Sequence, residues 1–258
     1  MKVNLLIILI VFSLESCLGQ TDKKLISNWN THPIPTNPDS LRKYGFSFHE
    51  WAVYKKNDSV FVVDKKELPS PQLPFKIKVK KADSRDFGGR ASILKVEDGY
   101  LVGFYRGEWG GALYWVSSDG DGDNYYKISN HEIVQFINRG GKQYAIEGLA
   151  HLGTSEGSII EIYKPNDKWA VREHLKLPTA PEAIALDHQD NFIIITSKSL
   201  LKVGRNAQIF FLVDKGLWYA ALYPNSMVIR NNIIYAGMRA GVYHYDLGTG
   251  KDSWLLPY

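Results

Sequence analysis

Residues 90–129 read RASILKVEDGYLVGFYRGEWGGALYWVSSDGDGDNYYKIS. Four apolar stretches, ASILKV, YLVGFYRG, GALYWV and YYKIS, are separated by Glu97-Asp98-Gly99, a glycine-bearing loop and a polar turn at residues 117–124. β-Branched and aromatic side chains fill the stretches while Gly, Asn and Asp fill the breaks, the pattern of successive antiparallel strands. Two other segments repeat it. Residues 225–257 run SMVIR, Asn231-Asn232, IIYAGM, GVYHYDL, a turn at 248–250, then SWLLP. Residues 182–213 run AIALD, a turn at 188–191, FIIIT, LLKV, a turn at 204–206, then QIFFLV. Looser copies occupy 131–177 and about 41–81, the latter as EWAVYKK, SVFVVDKK and FKIKVKK.

The residues that precede the first stretch of each unit are Glu50, Arg90, His131 or Glu132, Glu182 and Asn225, spaced on average about 44 apart. Self-similar four-stranded units at that period predict an all-β fold, a β-propeller of four-stranded blades. Residues 41–258 accommodate five blades, and six follow if the preceding segment donates strands. A β-sandwich also places strands every ~8–12 residues, but it does not require self-similar units. Residues 75–81 alternate apolar side chains with Lys and are predicted as an outermost strand whose edge is protected by charge.

The composition agrees with a packed globular domain. The chain has 258 residues, 45% hydrophobic, 13% aromatic and 22% charged, which excludes disorder, coiled coil and collagen-like repeats. A net charge of +4 is too mild to imply a nucleic-acid partner.

The amino terminus carries Lys2, then LLIILIVFSL at 5–14, then Glu15-Ser16-Cys17-Leu18-Gly19-Gln20. A short basic region, a short apolar run and small residues describe a signal peptide over residues 1–19. The run is shorter than the ~18–20 residues of a membrane span, so no transmembrane helix is expected in the mature protein. Leu14-x-Ser16-Cys17 resembles the lipobox of bacterial lipoproteins, which implies lipidation of Cys17; Glu15 departs from that pattern. Cys17 is the chain's one cysteine, so no intramolecular disulfide can form after it. The expectation is a protein held in the bacterial cell envelope by a lipid on Cys17, outside the cytoplasm, with cleavage after Gly19 and secretion as the alternative. Residues 20–40, polar and bearing Pro33, Pro35 and Pro38, read as a tether before a domain at 41–258.

In a propeller the approaches to each first strand and the loops between second and third strands open on one face. Here they carry Glu50, Arg90, Arg106, Glu108, Trp109 and Arg239, which are candidate ligand-binding residues flanked by Trp218, Tyr219 and Tyr223. Glu147 and His151, four apart, would share a face on a helical turn and are candidates for proton transfer. Asp119-Gly120-Asp121-Gly122-Asp123 has the alternating carboxylates of a calcium loop but has Asn130 where the loop's closing Glu belongs, and it reads as a hairpin turn.

Pro181-Glu182-Ala183-Ile184-Ala185-Leu186-Asp187 with Asp190-Asn191-Phe192 resembles the repeat of NHL-type and gluconolactonase-like propellers, and Pro224-Asn225-Ser226 resembles the Pro-Asn-Gly approach of the lactonases. The resemblance implies a divalent metal such as calcium, with Glu182 and Asn225 as ligands. It spans about 25 residues, Ser226 replaces Gly, and the lactonases' early Glu-Gly-Pro is missing. Gly-x-Ser-x-Gly, Walker, Rossmann and His-Glu-x-x-His signatures are absent from the sequence. Two functions follow. The first is an envelope binding module for a glycan, peptide or protein; the second is a metal-dependent, lactonase-like hydrolase.

Overall fold

The computed structural model describes residues 24–119, 124–219 and 221–257. A short strand β1 (Asn30–His32) and a helix α1 (Pro38–Gly45) lead into five antiparallel sheets. Sheet I is β2 (Trp51–Lys56) and β3 (Ser59–Asp64). Sheet II is β4 (Arg90–Val96), β5 (Gly99–Tyr105), β6 (Gly111–Ser117) and β7 (Tyr125–Ser129). Sheet III is β8 (Ile133–Arg139), β9 (Lys142–His151), β10 (Thr154–Tyr163) and β11 (Ala170–Leu177). Sheet IV is β12 (Pro181–Leu186), β13 (Phe192–Thr196), β14 (Leu200–Val203) and β15 (Ile209–Val213). Sheet V is β16 (Ser226–Arg230), β17 (Ile233–Gly237), β18 (Val242–Asp246) and β19 (Asp252–Leu256), with β1 added outside β19. The fold is all-β, and the units read from the sequence at 90–129, 131–177, 182–213 and 225–257 each coincide with one sheet.

Turn chemistry sets the hairpins. Two-residue connections with both φ positive twist in the sense that antiparallel strands require. Asn57-Asp58, Gly140-Gly141 and Asn231-Asn232 supply them with residues that tolerate the left-handed region. The fourth such connection, between β9 and β10, is Leu152-Gly153, with φ of 45° and 87°.

Each interface between sheets has its own apolar cluster. Val53, Val60 and Val62 of sheet I meet Val242 and Leu255 of sheet V. Ile193 and Leu200 of sheet IV meet Ile234, Tyr243 and Trp254 of sheet V around the fully buried Trp218. Ile146 and Ile159 of sheet III meet Ile184, Phe192 and Ile194 of sheet IV. Leu101 and Leu113 of sheet II meet Ile133 and Ile160 of sheet III, where any side chain at Gly103 would collide with Ile133 at 2.4 Å.

Three sequence expectations change. Residues 75–81 form no strand; Leu73, Phe75, Ile77 and Phe87 instead cover the outer aromatic face of sheet II. The reason lies at the edge of β3, which is already occupied: Val62 N donates to Lys24 O at 2.7 Å, and Leu25 bridges Phe61. Sheet I is therefore two-stranded. Of the expected tether at 20–40, the described part is laid against the sheets. Ile26 and Trp29 are buried between sheets I and V, β1 pairs with β19, and α1 starts at Pro38 behind an Asn37 cap. Trp218, expected at the surface, is 1% exposed, and its Nε1 donates to Thr196 O. Residues 120–123 of the carboxylate-rich turn, like Cys17 and the rest of the signal segment, lie outside the described residues.

Trp29 crosses Trp51 edge-to-face at 5.0 Å and is 8% exposed. Trp29→Ala is expected to cost about 3–5 kcal/mol. The exposed Trp109→Ala is expected to change stability by less than about 0.5 kcal/mol. Equilibrium urea unfolding of both variants checks this.

Candidate functional site

Strand direction alternates within each sheet, so the start of a first strand, the loop between second and third, and the exit from a fourth share one end. All ten non-terminal candidate residues (Glu50, Arg90, Arg106, Glu108, Trp109, Glu147, His151, Glu182, Asn225 and Arg239) lie at or beside that end, here called the mouth end. They do not form one constellation.

Most of the charges are spent on one another. Glu50 sits between Lys65 Nζ at 2.9 Å and Arg239 Nη2 at 3.3 Å. Burial pushes its carboxyl up, but the hydrogen bonds and charges of those two cations outweigh burial and hold it below the ordinary value. Arg239 also donates to Gly45 O at 2.8 Å and stacks over Tyr223, 4.7 Å from the ring centroid. Arg106 donates to Arg85 O at 2.7 Å and lies 3.7 Å from Asp86, which fastens residues 85–86 to sheet II. That is a structural anchorage.

Glu147 and His151 are on a strand, and they are not partners. At the strand rise of roughly 3.3 Å per residue, four positions separate them by about 13 Å. Glu147 accepts from Ser158 Oγ on β10. His151 Nε2 lies 2.8 Å from Glu108 Oε2 in the next sheet, close as an ion pair though not aligned as a hydrogen bond. The acid/base pair expected from their spacing is thus replaced by an inter-sheet contact holding the 107–109 turn to the β9–β10 hairpin. Glu147 also borders a cleft of about 410 Å3 with Glu132 and Glu156. Burial first, then the Glu147 carboxylate, push the Glu132 carboxyl up, against the charge of Arg106.

A second cavity, about 450 Å3, is lined by the first strand of every sheet: Val53 of β2, Arg90 and Ser92 of β4, Gln135 of β8, Glu182 of β12 and Met227 of β16. Its neutral polar side chains, apart from the exposed Ser70, are satisfied by the protein. Gln135 exchanges both amide hydrogen bonds with the Ile184 backbone, and Ser92 Oγ donates to Val134 O at 3.0 Å. Asn225 Nδ2 donates to Trp51 O at 3.1 Å while its Oδ1 accepts from Ser226 Oγ at 2.9 Å. Arg90 and Glu182 are different. Arg90 stacks on Tyr105 at 5.2 Å, and neither residue makes a hydrogen bond or ion pair with a described residue.

The metal set implied by the lactonase resemblance does not fit this geometry. Among the described residues no three His, Cys, Asp or Glu side chains come together as a metal-ligand group, and the Asn225 amide is engaged on both sides.

Seven of the nine large apolar side chains exposed among the described residues are also at the mouth end: Phe46, Phe48, Leu68, Trp109, Leu152, Tyr219 and Tyr223. Trp109 is 74% exposed and Leu152 91%. The sequence reading had Trp109, Tyr219 and Tyr223 but missed Leu152 and Phe48. The signal for Leu152 was present: Leu-Gly stands at a hairpin tip where Asn-Gly or Gly-Gly is the ordinary solution.

No family model matches the chain, and no curated protein sequence matches it. Among solved structures, streptogramin B lyase aligns with a TM-score of 0.44 and 15% identity over 64% of this chain and 53% of that one. Virginiamycin B lyase from Staphylococcus aureus aligns at 0.44 and 10% identity, over 64% and 54%. The extracellular domain of BT4673 from B. thetaiotaomicron aligns at 0.44 and 10% identity, over 88% and 29%. The chain thus spans about half the length of the two lyases and less of BT4673.

Burial raises the Glu182 carboxyl to about 7, against the opposing charges of Arg90 and Lys65. Between the ordinary carboxylate value in the unfolded chain and 7 the folded state holds the extra proton, so this group's contribution to stability falls as pH rises through that window. Glu182→Gln is expected to remove that fall and to gain on the order of 1–2 kcal/mol at pH 8, with little change at pH 4. Urea unfolding of both proteins across pH 4–8 checks it.

Proposed function

We propose that this chain is a non-catalytic binding module, a five-bladed propeller of the bacterial envelope whose mouth end docks on a protein partner. In this reading the five sheets are blades, the ring is closed by residues 24–32 between sheets I and V and by residues 65–89 between sheets I and II, and a lipid on Cys17 anchors the protein.

The observation that carries the docking face is Leu152. Three of the four two-residue hairpins with positive φ use Asn, Asp or Gly; the fourth places a leucine there, 91% exposed. A left-handed Leu costs about 1–2 kcal/mol relative to a right-handed conformation, and its exposure forfeits the burial that normally offsets such strain. A side chain that is costly on both counts is one that a partner covers. Trp109 is carried on the turn that the Glu108–His151 contact holds to the Leu152 hairpin, and in this reading the two serve a partner together as an aromatic-plus-aliphatic anchor of the kind that dominates protein interfaces. A protein surface suits this pair better than a glycan, because the leucine offers a sugar neither a stacking plane nor a hydrogen bond.

The double substitution Trp109→Ser, Leu152→Asn is expected to fold, and the Leu152→Asn component alone should raise stability by a few tenths to about 1 kcal/mol, since Asn tolerates the turn. Envelope proteins retained by the immobilised wild-type chain should be lost on the double variant. Equal retention of every component by both would overturn the reading, as would retention of glycans alone.

A further inference from the structure

The cavity ringed by the first strands holds two charged side chains of opposite sign that answer neither the protein nor each other. Apart from the exposed Ser70, every other polar side chain on its wall has a bonded partner: Gln135 with Ile184, Ser92 with Val134, Asn225 with Trp51 and Ser226, and Lys65 with Glu50. Glu182 is partly buried and feels the charge of Arg90, yet the two are not within ion-pair distance. Glu182 is a charge partly withdrawn from water without a partner, which is expensive, while Arg90 is exposed at the cavity's edge with a guanidinium that no protein acceptor engages, so these two groups are the part of the wall that a ligand can satisfy.

The signs narrow the ligand. A simple anion accepted by Arg90 would face the Glu182 carboxylate; a simple cation accepted by Glu182 would face the guanidinium; a neutral molecule would leave both unmet. A molecule carrying both charges a short distance apart meets both. The rest of the wall includes Val53, Leu68, Pro69, Pro71 and Met227, an apolar surface for the remainder of such a molecule. At about 450 Å3 the space is in the range of small-molecule sites.

We infer that this axial cavity binds a small zwitterion of the α-amino acid class with an apolar side chain, the carboxylate received by the Arg90 guanidinium and the ammonium by the Glu182 carboxylate. A guanidinium presents two parallel N–H donors to a carboxylate, the arrangement that makes such pairs strong and directional. Proton affinity at Glu182 is raised by burial, as expected of a carboxylate without a partner. The site goes beyond the docking face and does not depend on Trp109 or Leu152.

Isothermal titration of the full chain at pH 8 with L-leucine, N-acetyl-L-leucine and L-leucinamide tests it. L-Leucine is expected to bind saturably at one site, and both derivatives, each lacking one charge, at least about tenfold more weakly. Arg90→Gln is expected to abolish the preference for leucine over leucinamide, and Glu182→Gln the preference for leucine over N-acetylleucine. Leucine binding by the Trp109→Ser, Leu152→Asn variant should equal wild type, which separates this site from the docking face. No saturable binding of leucine up to about 10 mM, a Kd too weak for a built site, would overturn the inference. So would equal binding of either derivative by the wild type, or unchanged preferences in both charge variants.

Discussion

Residues 24–32 bridge sheets I and V, which lie far apart along the chain, and reinforce the direct contacts of Trp51 and Val53 with Asn225, Ser226 and Met238. Lys24 and Leu25 bond the edge of β3, Ile26 and Trp29 fill the gap between sheets I and V, and Asn30–His32 continue as a strand on β19. A stack of sheets packed only on successive neighbours has two open ends. Contacts across more than two hundred residues are entropically dear to form but grow more so only slowly with loop length, so a few large apolar side chains suffice to hold them. With no thiol beyond Cys17, no disulfide can serve in their place. The edge of β3 is consumed by the same junction, which is why sheet I stops at two strands and residues 65–89 go to sheet II instead.

The mouth end shows a division of labour among its polar and apolar groups. Glu50 with Arg239 and Glu108 with His151 meet across sheet boundaries, Lys65 joins Glu50, and Arg106 holds residues 85–86 to sheet II, so much of the charge that looks functional fixes neighbouring segments to one another. Charges at such boundaries are tolerable because each has a partner and partial access to water. Against that background the groups without a protein partner stand out: Arg90 and Glu182 in the cavity lined by the first strands, and the apolar rim led by Trp109 and Leu152. The rim and the cavity are carried by different loops and strands.

Much of the fold was legible because its signals are local. Strand period, turn residues and the 44-residue recurrence are properties of short windows, so four units appeared with nearly the boundaries of sheets II to V. The mouth-end residues were also legible, since the first strand and the second loop of each unit fix which end they occupy. The pairings were not. Glu147 and His151 look like partners because four residues is a helical distance, whereas β9 is extended and hands them to Ser158 and Glu108. FKIKVKK looks like an edge strand by alternation, but whether an edge is free to receive it depends on residues 24–25, some fifty positions earlier. Leu152 was missed because an exposed leucine in a loop carries no weight until its φ and exposure are known.

The sequence by itself therefore determined the all-β class, the repeat and its turns, the impossibility of a disulfide within the chain, and the end of the sheets where polar and aromatic residues gather, because each is set by composition or by neighbours within a few residues. Only the tertiary structure decided which charges cancel and which remain, where the amino-terminal segment goes, and which aromatic is core, as Trp218 is, and which is surface, as Trp109 is. Those outcomes depend on which groups from distant parts of the chain arrive within a few ångströms of one another, and spacing along the chain carries no record of that.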